Sequence, residues 1–345
     1  LAVGGHLKNT VALAVRNQIF ISPHIGDLET PKGREAHFQS AEMLCGLYKT
    51  EATYVVHDLH PDYHSTQMAR ASNIEAVAVQ HHYAHALACM ADNGIQAPCL
   101  AVTWDGSGYG LDNTIWGGEF LKVHQTGFDR ILHFLPFPLP GGEAAMRDSR
   151  RAALGMLYVL EGDNALNRKI GLADEDVPLL RLALNKKINC PLTSSAGRIF
   201  DAVGALTGVS TMNSFEGQTA MALEHVADAN AQAAYQFGID DYIIDWRPML
   251  RSVLTDIHDG VEPAVISGRF HATLAAMIQA AAQRCGEQAV LLTGGCFQNA
   301  LLVERTVDVL EQSGFTVYTH RQVPPNDGGL ALGQAMALVQ AGERK

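Results

Sequence analysis

Leu100-Ala101-Val102 repeats Leu1-Ala2-Val3, and the segment after each triplet repeats with it. After the first come the glycine loop Gly4-Gly5-His6-Leu7-Lys8-Asn9, a strand over 10–15, the two-residue turn Arg16-Asn17 and a strand over 18–22. After the second come the loop Asp105-Gly106-Ser107-Gly108-Tyr109-Gly110 and hairpin strands over 114–123 and 130–137. A chain that twice opens with strand, glycine loop and β-hairpin is constrained to two related α/β lobes facing one cleft.

The remaining pattern fits that frame. Apolar spacing predicts helices over 34–48, 65–71 and 81–91, with β-branched strands over 53–56 and 76–79. Residues 142–247 read as a mostly helical insertion that lids the cleft, clearest over 152–160 and 219–237. The α/β order then resumes with a helix over 268–284, a strand over 289–292, the Gly294-Gly295 loop, a helix over 299–312, a strand over 316–319 and a last helix over 329–339. The expected division is a first lobe over 1–97 and a second over 98–345.

Composition removes several function classes. With 47% hydrophobic residues the chain is not disordered. Its 25 Lys+Arg against 36 Asp+Glu leave a formal charge of -11, which repels phosphate backbones and argues against a nucleic-acid partner. No apolar stretch approaches the ~20 residues a bilayer span needs, and no signal segment opens the sequence. Six scattered cysteines without a C-x-x-C pair suit reduced thiols, hence a cytoplasmic protein with no membrane partner.

The unusual number is 15 histidines, six of them between positions 57 and 85. His81 and His85, four apart on a predicted helix, share a face and can grip one divalent cation, while His82 points elsewhere. The same spacing also describes two ordinary histidines. Without the glutamate of H-E-x-x-H it is no zincin site. Asp327, on the proline-braced turn Pro324-Pro325-Asn326-Asp327, is a candidate third ligand, or else a helix N-cap.

Three glycine loops follow strands: Gly4-Gly5 with Lys8, Asp105-Gly106-Ser107-Gly108, and Gly294-Gly295. Any one reads as a tight turn or an anion cradle; at equivalent points of repeated lobes they predict a nucleotide-sized cleft. Neither G-x-x-x-x-G-K-[ST] nor G-x-G-x-x-G is present. The segment His57-Asp58-Leu59-His60-Pro61-Asp62-Tyr63-His64 follows a strand and concentrates acid/base groups, although Asp62 or Ser65 can equally cap a helix. Cys296 beside Gly295 is read as packing rather than as a nucleophile.

Together, Gly4-Gly5-His6-Leu7-Lys8-Asn9-Thr10, His57 to Tyr63, Gln80-His81-His82-Tyr83-Ala84-His85, Thr103 to Gly110, Phe215-Glu216-Gly217-Gln218, Gly294 to Asn299 and Asn326-Asp327-Gly328-Gly329 resemble the carboxy-terminal part of the hydrogenase maturation carbamoyltransferases, the HypF family. The resemblance runs in order along nearly the whole chain. It implies a duplicated ribonuclease-H-like fold, shared with actin, sugar kinases and Hsp70, in the branch that includes TsaD and the antibiotic O-carbamoyltransferases.

It also implies roles. His81, His85 and Asp327 match metal ligands, for iron or zinc. Gly4, Gly5 and Lys8, with Asp105, Gly106 and Gly108, match phosphate-binding turns; Asp201 and Glu216 sit where relatives hold the ribose; Gly294, Gly295 and Asn299 match the loop beneath the adenosine. The nucleotide is ATP or carbamoyl adenylate, which Mg can accompany. Full-length members carry an upstream YrdC-like domain that makes carbamoyl adenylate, so the sequence reads as the transfer part alone. The acceptor is the C-terminal cysteine of the partner HypE. Its thiolate attacks the carbamoyl carbon, Lys8 offsets phosphate charge, and His57 or His60 deprotonates the thiol. The competing readings are an O-carbamoyltransferase acting on a small-molecule hydroxyl, an ATP-dependent phosphotransferase of the sugar-kinase type, and a non-catalytic nucleotide-binding module.

Overall fold

The turn at Arg16-Asn17 forms as its position between two strands requires. In the computed structural model, which describes residues 1–342, Ala12–Val15 (β1) and Gln18–Ile21 (β2) pair antiparallel outward from Val15 and Gln18. Arg16 adopts φ 56°, the positive angle that lets a two-residue loop follow the strand twist. On the other side of β1, Ala2 exchanges backbone hydrogen bonds with Ala12, while Val3 donates to Val56 and Val56 donates to Leu1. Tyr54–Asp58 (β3) then pairs parallel with Glu75–Val79 (β4). The order across this sheet is β2, β1, residues 1–3, β3, β4.

The second lobe repeats that order. Cys99–Tyr109 (β5) lies between antiparallel Ile115–His124 (β6) and the parallel strand Ala289–Thr293; Gly127–Phe134 (β7) flanks β6, and Thr316–Tyr318 flanks 289–293. Each parallel pair needs a crossover, and helices supply it: His64–Ala71 between β3 and β4, and Ala300–Gln312 between the later two strands. Two copies of one topology give the two-lobed, duplicated ribonuclease-H-like fold.

The lobes meet through their last helices. His81–Asn93 (α1) packs on Leu330–Gly342, where a Cβ on Gly333 would stand 1.8 Å from the carbonyl oxygen of Ala84. Only glycine permits that approach, and Ala84, Leu330, Ala331 and Ala335 fill the surrounding core. The larger core lies in the second lobe around Trp104, Phe120, Phe134 and Phe297, with Trp104 stacked on Phe297 and edge-on to Phe120.

The structure corrects two expectations. Asp105 to Tyr109 is not a loop but the irregular end of β5, which shifts register between Trp104 and Gly108 and then pairs Gly108 with Trp116. The helix expected over 219–237 ends early, as Gln218–Val226. Beyond it Asp228 donates to the Ala264 carbonyl and Tyr235 donates to Thr273 Oγ1, so tertiary partners claim backbone groups that helix propensity would have paired internally. The stretch over 142–247 is mostly helical, as expected, and Ile243–Asp245 within it adds a parallel strand beside β7. Helices Val177–Lys186 and Arg247–His258, each with a proline in its first turn, lie outside the runs picked out from sequence.

Candidate metal and nucleotide site

Asp58 ends β3 opposite Val79 of β4, and β4 passes through Gln80 directly into α1. The Gln80 side chain caps that helix by accepting from the Tyr83 N–H. His81 and His85 follow on one face, one turn apart, with ring centroids 5.0 Å from each other. Their Nε2 atoms lie 3.3 and 3.2 Å from Asp105 Oδ2, and each lies 3.6 Å from Asp327 Oδ1. The four side chains can present one ligand atom each within 4.8 Å of one another. Two imidazole nitrogens and two carboxylate oxygens make a donor set that fits a divalent cation.

Each member is held from behind. Asp58 Oδ2 meets His81 Nδ1 at 2.7 Å, which makes Nδ1 the donor to Asp58 and turns Nε2 toward the cluster. Asp105 Oδ1 accepts the N–H groups of Gly106 and Gly295 at 2.7 and 3.2 Å, leaving Oδ2 for the histidines. Asp327 opens a short 3-10 turn whose cap is Asn326, so it is not the N-cap itself. That turn is tied to the cleft by the Gly294 N–H, which donates to the Pro325 carbonyl.

Electrostatics follow from this packing. Burial disfavours an imidazolium, yet Asp58 and Asp327 outweigh it and hold His81 well above the usual histidine range; hydrogen bonds donated to Asp105 and Asp327 likewise raise His85 against its burial. Burial also opposes ionisation of Asp105, but the two histidines hold its carboxyl well below the ordinary range.

A small cleft of about 60 Å³, with Lys8 and Glu216 paired across it, adjoins the cluster. Of the residues expected to bind nucleotide, Lys8, Asp105, Gly106, Asp201, Glu216 and Gly295 line it; Arg198 and Cys296 join them. Burial and the Asp105 charge push the Cys296 thiol well up, which suits the packing role read from sequence.

The other expected residues are not among those lining the cleft. The Gly4 N–H and carbonyl are both taken by the Gln334 amide. Gly5 lets the chain pass Asp327, where a Cβ would stand 3.0 Å from Oδ2. Gly108 makes room for the histidines, since a Cβ there would stand 2.5 Å from His82 and 2.8 Å from His81. Asn299 caps Ala300–Gln312 and donates to His271. His57 is buried with Nδ1 against the Asp58 carbonyl, whereas half-buried His60 stacks on Tyr63 at 4.2 Å.

Sequence reasoning missed Asp58 as the support of His81, and Asp105 as a member of the histidine cluster. The signal for Asp58 was its place at the end of a strand whose parallel neighbour leads straight to His81. For Asp105 the signal was weaker: a carboxylate followed by glycine, whose amide can hold one oxygen and free the other.

Comparison with known proteins adds to this geometry. The family described as "HypF Kae1-like domain" matches residues 1–92, and "Carbamoyltransferase, Kae1-like Domain, second subdomain" matches residues 101–334. Carbamoyltransferase HypF of Synechocystis sp. is 39% identical over 363 residues, covering 99% of this chain and 47% of the relative. The carbamoyltransferase HypF homolog of Cupriavidus necator is 36% identical, covering 99% of this chain and 91% of the relative. The crystal structure of full-length HypF in the phosphate- and nucleotide-bound form is similar with a TM-score of 0.92 at 36% identity, covering 98% of this chain and 54% of that one. Apart from the Cupriavidus homolog, the chain spans about half the length of these curated relatives.

Proposed function

The chain belongs to the HypF family of carbamoyltransferases, and we propose that it carries out carbamoyl transfer from carbamoyl adenylate to the C-terminal cysteine thiol of HypE, on the route to the cyanide ligands of nickel–iron hydrogenase. The observation that carries this reading is that Asp105 belongs to two sites at once: it completes the histidine cluster and lines the cleft.

The thiolate sulfur adds to the carbamoyl carbon, the bond from that carbon to the phosphate oxygen breaks, and AMP leaves with the electron pair. His81, His85, Asp105 and Asp327 would hold a divalent cation, iron or zinc, which would supply Lewis acidity when bound. Lys8 exchanges Glu216 for the phosphate and offsets charge growing there, which frees Glu216 for the ribose hydroxyls. His60 takes the thiol proton, because burial lowers its pKa and keeps it neutral near pH 7. His57, buried and already bonded, leaves that task to its neighbour. Carbamoyl adenylate arrives from the YrdC-like domain of full-length family members.

All six cysteines are free, and no helix among the described residues is long and apolar enough to cross a membrane. Both facts support a cytoplasmic setting. The test is to incubate the chain with carbamoyl adenylate and a peptide ending in cysteine. A mass gain of one carbamoyl group on the thiol is expected; an unmodified thiol with the adenylate intact contradicts the proposal.

A further inference from the structure

The cleft contains a charged side chain used neither by the cluster nor by the transfer step as described. Arg198, in the first turn of Ala196–Leu206, is only 3% exposed and lines the cleft. Its Nη1 meets Asp201 Oδ2 at 2.8 Å, and Asp201 Oδ1 accepts from Asn213 Nδ2 at 3.0 Å. Arg198 and Asn213 thus contact one oxygen each of the Asp201 carboxylate, which is 2% exposed, although Oδ2 receives no aligned hydrogen bond and Nη1 donates instead to Met146 Sδ at 3.0 Å. The guanidinium also has capacity left. Its Nε is buried without a hydrogen-bond partner, and Nη2 lies 3.8 Å from where a Cβ on Gly106 would stand.

A buried donor with no acceptor costs free energy that an incoming oxygen recovers, and a planar guanidinium suits paired phosphate oxygens. Lys8 lines the same cleft, held by Glu216. Two cations, each restrained by one carboxylate, therefore face one space, and Gly106 and Gly295 put no side chain in it.

We propose that Arg198 grips the phosphate of the nucleotide, and that Asp201 is its positioning residue. This rests on the nucleotide reading above. When the bond between carbamoyl carbon and phosphate oxygen breaks, the electron pair stays on that oxygen, and the guanidinium meets the charge without having to move. Asp201, fixed by Asn213, keeps the guanidinium in one plane.

The test titrates AMP and adenosine separately onto the wild-type chain, Arg198→Met, Arg198→Lys and Asp201→Asn by calorimetry. Arg198→Met is expected to weaken AMP about tenfold or more, the scale of a lost charge-assisted hydrogen bond, with adenosine unchanged. Asp201→Asn is expected to weaken AMP more than adenosine; equal loss of both overturns its positioning role and returns it to the ribose. Unaltered AMP affinity in Arg198→Met overturns the phosphate contact. If that variant fails to fold, Arg198→Lys decides: it keeps the charge but loses the fork, so AMP alone should weaken, and unchanged AMP affinity contradicts the proposal. A wild-type chain that binds neither AMP nor adenosine overturns the underlying nucleotide reading instead.

Discussion

Asp58 and His81 are joined by a hydrogen bond of 2.7 Å between Oδ2 and Nδ1, and both side chains are buried. The other oxygen of Asp58 accepts the His60 N–H at 2.8 Å. One carboxylate therefore aims a metal-ligating imidazole and shapes the loop that carries the residue assigned as base.

Replacing Asp58 by alanine leaves His81 free to rotate and to change tautomer. Metal affinity is expected to fall about 10–100-fold, the usual effect of removing such a support, while the melting temperature of the metal-free chain changes much less than that of the loaded one. Competition with a chelator of known affinity measures the first quantity. Unchanged affinity would mean that the ligand geometry is set by the helix alone.

Gly333 tests how the lobes are joined. A methyl group there meets the Ala84 carbonyl on α1, the helix that carries both histidines. Neither backbone can yield without moving the cluster, so Gly333→Ala is expected to destabilise the chain by about 1–3 kcal/mol in denaturant titration, as overpacking does, and to weaken metal binding with it. A fully stable variant would show that the two helices slide freely.

His271 gives the fold a defined acid sensitivity. Its Nδ1 donates to the Ser267 carbonyl at 2.8 Å, and its Nε2 accepts from Asn299 at 2.9 Å, so it is held neutral. Burial pushes its pKa down to about 4. Between about pH 6.5 and 4 the unfolded chain binds a proton at this residue that the folded chain refuses, so stability falls as pH falls, by up to on the order of 3 kcal/mol. His271→Gln is expected to make that slope shallower in unfolding titrations across the window, whatever its effect at pH 7. An equal slope in both proteins would remove His271 from the acid response.

Local features were legible in sequence, and features made by distant segments were not. The triplets Leu1-Ala2-Val3 and Leu100-Ala101-Val102 became the central strands of two sheets with the same order, because the hairpin and crossover rules act over short stretches. His81 and His85 were legible because helix spacing alone aligns them. The structure brings Asp327 to them only through the turn held by Gly294, a contact no spacing announces. Asp201, which the family resemblance places at the ribose, meets Arg198 and Asn213 here, contacts that spacing does not announce either. The run over 219–237 misled for a related reason, since alanine-rich sequence favours a helix until packing against Gly268 and Thr273 claims its backbone.

Metal binding by His81, His85, Asp105 and Asp327 and carbamoyl transfer are proposed to share one site. The decisive experiment takes wild type and His85→Ala, determines bound iron and zinc in each, and reads the mass of a cysteine-ended peptide after incubation with carbamoyl adenylate. His85→Ala is expected to lose its metal and its transfer activity together. A variant that has lost the metal yet carbamoylates the peptide at the wild-type rate would refute the shared site.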